Sequence, residues 1–142
     1  MITVVLDANV LASGAIAATG TLAAIVDAWR DDRLVVFLSA ALRVEVSRTL
    51  HEPYFQQRLT PELAARIDAL IQRRARLTVV TVQVLGVATH PEDDQVLATA
   101  VSARVQYLVT GDAQLQKLGA YEGVAIVSPR QFLAILEADR ES

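Results

Sequence analysis

The sequence contains no cysteine, and its thirteen basic residues include a single lysine, Lys117. The absence of cysteine excludes disulfides, thiolate nucleophiles and Cys-ligated zinc. His51 and His90 are the only nitrogen ligands left, which is too few for a structural zinc site. Aromatic residues form only 5% of the chain, so we expect no stacking platform for reading unpaired bases.

Long apolar runs are absent as well. Hydrophobic residues make up 53% of the chain, yet every uninterrupted apolar stretch falls far short of the roughly 20 residues that span a bilayer. Residues 1–7 lack the basic region, the sustained apolar segment and the cleavage site of a secretory signal. We therefore expect a cytoplasmic protein without membrane association. A net charge of −3 gives the whole chain no basic character of the kind expected in a nucleic-acid binder.

The 142 residues suffice for one domain, which we predict to span 1–142. Short apolar runs alternate with helical patterns along the whole chain. The predicted order is strand 2–6, helix 21–30, strand 34–38, helix 39–50, a helix from 61, a strand within 77–85, helix 91–103, strand 107–110, a short helix after 112, strand 124–127 and helix 129–138. This alternation predicts an α/β fold whose parallel sheet is covered on both faces.

Acidic residues stand at positions that such a sheet would bring together. Asp7 and Asp112 each follow a strand, while Glu45 and Asp94 lie on helices that begin at the same edge. Ligands of open α/β sheets bind beyond the carboxyl ends of the strands, and crowded carboxylates are costly without a cation among them. All-oxygen ligation suits Mg²⁺ or Mn²⁺. A pair of such ions would promote hydrolysis of a phosphodiester bond.

Each acid also has an ordinary local explanation. The alternatives are a turn contact for Asp7, a helix cap for Asp112, helix N-terminal charges for Asp93 and Asp94, and an i, i+3 ion pair with Arg48 for Glu45. Four acids at one predicted edge favour a shared site over four unrelated local roles.

Several polar residues could support that site. Asn9 is placed to hold the Asp7 carboxylate or a metal-bound water, and Thr110 to contact the carboxylate network or a phosphate. Ser13 is a weaker candidate than either. His90 lies close to the acids in sequence and could contact substrate, but it precedes a proline and is more simply explained as a loop residue.

Basic residues are concentrated in one stretch that contains Arg66, Arg73, Arg74 and Arg76. One interpretation is a solvated helix face whose basic residues complement the dipole near the C-terminus. The other is a set of planar donors for phosphate. The sequence leaves both open.

With these residues identified, the chain resembles the PIN domain family, and in particular its single-domain VapC-type ribonucleases, the toxins of toxin–antitoxin pairs. The resemblance covers nearly the whole chain. It depends on Leu-Asp-Ala-Asn-Val-Leu at 6–11, the helical Glu45, Pro-Glu-Asp-Asp-Gln-Val-Leu-Ala at 91–98 and Tyr-Leu-Val-Thr-Gly-Asp at 107–112. It implies that the metal-binding acids are Asp7, Glu45, Asp94 and Asp112, with Asn9, Thr110 and Asp93 in support.

The resemblance further implies a three-layer α/β/α sandwich with about five parallel strands, dependence on Mg²⁺ or Mn²⁺, an RNA substrate, a homodimer and a small antitoxin. Three departures from the family pattern stand out. His90 replaces a common Asp, Gln114 replaces a common acid, and Asp93 adjoins Asp94. The Asp-x-Val-Leu-Ala pattern favours Asp94 over Asp93 as the ligand.

Two other functions compete with a ribonuclease. A haloacid-dehalogenase-type phosphohydrolase also begins with a strand that ends in Asp, but it needs a second Asp where this chain has Asn9, and Lys117 is poorly placed for the phosphoryl group. A PIN-like scaffold would bind RNA or protein and cleave weakly or not at all.

Overall fold

The protein is described by a computed structural model that covers residues 1–88 and 90–141. Within these residues a six-stranded sheet has the order β3-β2-β1-β4-β6-β5. Its strands are β1 (Ile2–Leu6), β2 (Leu34–Leu38), β3 (Arg76–Leu77), β4 (Tyr107–Val109), β5 (Ala120–Tyr121) and β6 (Val124–Val127). Every pair is parallel except β5 with β6.

The helices are α1 (Ala8–Ile16), α2 (Thr21–Arg30), α3 (Ala40–Leu50), α4 (Pro53–Gln56), α5 (Pro61–Arg74), α6 (Pro91–Ala103), α7 (Ala113–Leu118) and α8 (Pro129–Glu141). Successive residues of a strand point to opposite faces of the sheet. Val4 and Val5 are both fully buried, so helices cover both faces of β1. The predicted three-layer α/β/α arrangement is confirmed.

The sheet differs from the prediction in two respects. It has one strand more than expected among the described residues, because the short β5 pairs antiparallel with β6 through a turn. The third strand was expected within 77–85, but β3 has only two residues, Arg76 and Leu77. The Thr78 amide makes a last bond to the Leu38 carbonyl at 2.9 Å, after which Thr81 and Val82 donate to the Ser102 hydroxyl on α6. Bonding to α6 thus replaces the sheet ladder.

The point at which strand order reverses lies between β1 and β4. From β1 the chain builds outward through β2 and β3 in one direction, and through β4 and β6 in the other. A crevice opens at the carboxyl ends of two strands whose connections leave in opposite directions. The residues that follow β1 and β4 therefore border the same crevice.

Two early helices pack closely against each other. A Cβ added at Gly14 on α1 would lie 2.6 Å from the Leu22 carbonyl oxygen of α2 and 2.6 Å from Val26 Cγ2.

Among the residues described, no single helix is long and apolar enough to cross a membrane; α1 and α2 meet that test only as a pair bent by 88°. Both helices bury much of their apolar surface inside the protein.

Candidate active site

Asp7 lies where β1 passes directly into α1. Its amide continues the sheet by donating to the Val109 carbonyl at 3.0 Å. Its carboxylate accepts from the Ala8 amide at 2.8 Å and from the Thr110 hydroxyl at 2.8 Å. Burial raises the pKa of Asp7, the two hydrogen bonds oppose that rise, and the charges of Asp112 and Glu45 add to it.

Asp112 follows β4 through Thr110 and Gly111. Its Oδ1 caps α7 by accepting from the Leu115 amide at 2.9 Å. Its own amide donates to the Thr110 hydroxyl at 3.1 Å, and that hydroxyl donates to Asp7. The fully buried Thr110 therefore connects the ends of both strands. Its hydroxyl contacts the carboxylate of Asp7, one of the two contacts that the sequence suggested for it.

Glu45 reaches the crevice from α3. Its Oε1 pairs with Arg48 at 2.7 Å, and its side chain is 24% exposed, against 71% for the Arg48 side chain. The Ser39 hydroxyl caps α3 and lies 2.7 Å from the Thr99 hydroxyl of α6. Because both hydroxyls are buried, this bond fixes the position of α3 relative to α6.

The two aspartates at the start of α6 occupy different surroundings. Asp94 is buried, and its two oxygens accept from the Gly86 amide at 2.9 Å and the Ala88 amide at 2.7 Å. Asp93 instead lines the pocket that contains Asp7 and Asp112. The sequence favoured Asp94 as the ligand; in the structure Asp94 accepts hydrogen bonds from loop amides, and Asp93 is the one of the two that lines the pocket.

The charge environment of Asp93 agrees with this placement. Burial and the nearby charges of Asp7 and Asp112 raise its pKa to about 6, while His90 opposes the rise. Sequence spacing gave no sign of this difference, because it does not show that the loop 86–88 folds back so that its amides reach the Asp94 carboxylate.

Of the remaining residues that the sequence singled out, some line the pocket and others do not. Asn9 is exposed at the pocket, and its side-chain oxygen accepts from the Ser13 hydroxyl at 3.2 Å. His90 is an exposed residue at the start of α6 and makes no side-chain cap. Gln114 is exposed outside the pocket lining. Asn9 therefore contacts a neighbour on α1 rather than Asp7.

The acids surround one open pocket of about 440 Å³. It is lined by Asp7, Ala8, Asn9, Val10, Ser13, Leu22, Glu45, Thr49, Asp93, Gly111, Asp112 and Pro129. No Lys or Arg stands among these described residues; Arg48, outside the lining, pairs with one of the acids, Glu45. Pro129 was not predicted, although the strand-end rule that identified Asp112 applies equally to the residues after β6.

The donor set fits a hard divalent cation. All four acids supply oxygen, the ligand that Mg²⁺ and Mn²⁺ prefer, and the raised pKa values of Asp7 and Asp93 reflect burial and negative charge that a cation would offset. In residues 1–88 and 90–141 no three acids or histidines are close enough to enclose an ion together. Mg²⁺ tolerates this because it keeps several waters and needs only one or two carboxylates.

Comparison with known proteins gives a family match. A family model described as PIN domain matches residues 3–114, the part of the chain that contains all four pocket acids. No match was found among curated proteins.

Two solved structures resemble the chain. The crystal structure of VapBC2 from Rickettsia felis bound to a DNA fragment from their promoter has a TM-score of 0.61 at 9% identity, over 89% of this chain and 98% of that chain. The crystal structure of PAE2754 from Pyrobaculum aerophilum has a TM-score of 0.59 at 23% identity, over 96% of this chain and 90% of that chain. At such identities the likeness concerns the fold.

Proposed function

The chain belongs to the PIN domain family, and on that premise we propose that it is a metal-dependent endoribonuclease that hydrolyses phosphodiester bonds in RNA. The observation that carries this proposal is the meeting of Asp7, Glu45, Asp93 and Asp112 from four separate elements at one pocket. Such crowding opposes folding unless a cation compensates it. A role in binding a metal therefore explains the crowding of these acids, which stability alone does not.

In the proposed mechanism carboxylates of this pocket would hold Mg²⁺ or Mn²⁺, one or two of them by direct contact and the others through its bound waters. When bound, the ion would polarise the phosphate and activate a water for in-line attack. Thr110 fixes the Asp7 carboxylate through its hydroxyl, and the Ala8 amide holds the second oxygen. Since both oxygens keep lone pairs free, Asp7 can be oriented by the protein and still bind the ion.

We further propose that the protein is the toxin of a toxin–antitoxin pair, with a cognate antitoxin as partner and a homodimer as its assembled form. The support is the PIN family itself, together with the fold shared with VapBC2. Its location in the cytoplasm stays a prediction. Induction of the gene alone should arrest growth, and co-expression of the neighbouring gene should relieve the arrest; unimpaired growth in both cases would remove the toxin assignment.

The enzymatic proposal is tested with Asp7→Asn. Asn keeps the shape and can still accept the Ala8 bond, while its amide nitrogen can donate to the Thr110 hydroxyl, but it removes the charge. We expect Mn²⁺-dependent RNA cleavage to fall at least about 100-fold, in line with the loss of transition-state stabilisation on removing one key group, while the fold is retained. A rigorously purified variant that cleaves at the wild-type rate would contradict the role of Asp7.

A catalytically weak PIN-like scaffold is the second candidate. It is favoured by the Arg48 ion pair on Glu45 and by the lack of three closely grouped acids in the described residues. Calorimetry separates the two candidates. The nuclease proposal expects Mn²⁺ binding that Glu45→Gln weakens, whereas a scaffold would show no binding or equal affinities.

A further inference from the structure

Three arginines line a second pocket, far from the acids. Arg73 and Arg74 lie in the last turn of α5 and Arg76 begins β3, and together they border a cavity of about 460 Å³ that extends to Met1. Met1 precedes β1, whereas Asp7 follows it. At about 3.3 Å per residue of strand, roughly 20 Å separates the two pockets.

The second pocket carries excess positive charge. Arg74 is ion-paired with Asp32, the one acid in its lining. Arg73 and Arg76 are exposed, and within residues 1–88 and 90–141 neither forms an ion pair or a side-chain hydrogen bond. Two guanidinium groups therefore face solvent without a carboxylate partner, in a chain whose net charge is −3.

The backbone that carries these arginines is held in place. The buried Trp29 donates its indole N–H to the Arg74 carbonyl at 3.5 Å, and the Ala75 amide donates to the Ile71 carbonyl at 3.1 Å. Arg76 is in register with Phe37 of the neighbouring strand. The guanidinium groups are thus presented from fixed positions, although the carbonyl end of α5 offsets part of their attraction for anions.

We propose that Arg73, Arg74 and Arg76 bind backbone phosphates of the RNA strand at a distance from the cleavage pocket. This inference rests on the proposed ribonuclease function. Among the described residues that line the acidic pocket, none is basic and able to attract a polyanion, whereas a guanidinium offers planar paired donors that match phosphate. A long RNA would reach both pockets, and a short one would reach only the acids.

The test measures binding of the full-length protein to labelled single-stranded RNA by fluorescence anisotropy in EDTA. The variant is Arg73→Gln with Arg76→Gln, which leaves the Arg74 ion pair intact. The matched control is Arg43→Gln with Arg140→Gln, which changes the net charge equally on other helices. A third variant, Arg73→Lys with Arg76→Lys, keeps the charge.

Loss of two phosphate contacts should weaken binding. The slope of log K against log salt is negative, and its magnitude should fall by about 1.4, at roughly 0.7 per phosphate of a single strand. The control and the lysine variant should keep the wild-type slope. With Mn²⁺, the glutamine variant should raise KM for long RNA and leave kcat unchanged.

Three results would overturn the inference: equal slopes for the glutamine variant and the control, no measurable RNA binding by the wild type, or a changed oligomeric state with unchanged RNA affinity. The last would identify the arginines as a protein contact, with Asp31 and Asp32 of a second copy as natural partners. Failure of the nuclease proposal is recognised separately, as absence of cleavage by the wild type.

Discussion

Asp93 and Asp94 are adjacent in sequence, but their carboxylates lie in different electrostatic surroundings. Asp93 faces other acids, while Asp94 accepts hydrogen bonds from two loop amides. Substitution by Asn separates the two situations because it preserves size and removes charge. At Asp93 the change relieves repulsion. At Asp94, itself a buried residue, it turns one acceptor oxygen into a donor that faces a loop N–H.

We expect Asp94→Asn to lower the free energy of unfolding by about 1–3 kcal/mol, the usual cost of an unsatisfied buried group, with Mn²⁺ affinity retained. Asp93→Asn should leave stability equal or higher and weaken Mn²⁺ binding. Urea denaturation and calorimetry measure both quantities. Loss of Mn²⁺ binding in folded Asp94→Asn, with none in Asp93→Asn, would restore Asp94 as the ligand.

The raised pKa of Asp93 predicts a pH dependence of stability in metal-free buffer. Its pKa is about 6 in the folded protein against an ordinary value of 3.8, so the folded state binds more protons between these values. Stability attributable to Asp93 is therefore complete below about pH 4 and declines as pH rises toward 6. Because Asp93 is only partly buried, we expect a change on the order of 1 kcal/mol after allowance for solvent screening.

Comparison of urea denaturation for the wild type and Asp93→Asn across this range isolates that contribution. Asp7 titrates in both proteins, so the part of its raised pKa that comes from burial is common to both, and the difference reports Asp93 together with its interaction with Asp7. The two stability curves should converge at low pH and separate by pH 6 to 7. Curves that run parallel throughout would contradict the assigned environment of Asp93.

At the scale of elements, the contact between α1 and α2 supports the pocket. Asn9 and Ser13 lie on α1, Leu22 lies on α2, and all three line the pocket. The helices approach so closely at Gly14 that any added atom must displace the backbone of Leu22 or the side chain of Val26.

We expect Gly14→Ala to destabilise the protein by about 1–3 kcal/mol through overpacking. Gly111→Ala is the control, since a Cβ there meets nothing within 4 Å and its backbone needs no positive φ. Thermal denaturation of the two variants makes the comparison. Equal melting temperatures would show that α1 and α2 can move apart at little cost.

At the scale of the whole molecule, four acids meet at the carboxyl edge of the sheet, and three arginines border a pocket at the other end of β1. A ligand that binds only the folded state stabilises it by mass action. The crowded acids form only on folding, so a divalent cation should act in this way.

We expect Mn²⁺ at 100 times its Kd to raise the free energy of unfolding by about 2.7 kcal/mol. Glu45→Gln and Asp93→Asn should reduce that gain at the same Mn²⁺ concentration, and the arginine variants should not. Urea denaturation with and without Mn²⁺ measures it independently of any cleavage assay. An equal gain in all variants would place the cation elsewhere.

Much of the architecture could be predicted from local pattern. The buried strands 2–6 and 34–38 and the helix from Pro61 follow from apolar periodicity and from capping residues, which act over a few positions. The helix α1 was missed because its apolar residues continue directly from β1. The strand expected within 77–85 was overestimated, since β-branched residues there indicate extended chain but not its partner.

The sequence by itself determined the α/β fold and the edge where acids accumulate, because strand ends are local features and parallel strands share one edge. Only the tertiary structure decided that Asp93 faces the pocket and Asp94 the loop, and that three arginines border a separate cavity. The first outcome depends on how the loop 86–88 folds back onto Asp94, and the second on how the end of α5 and the start of β3 approach the start of β1; the local sequence pattern specifies neither.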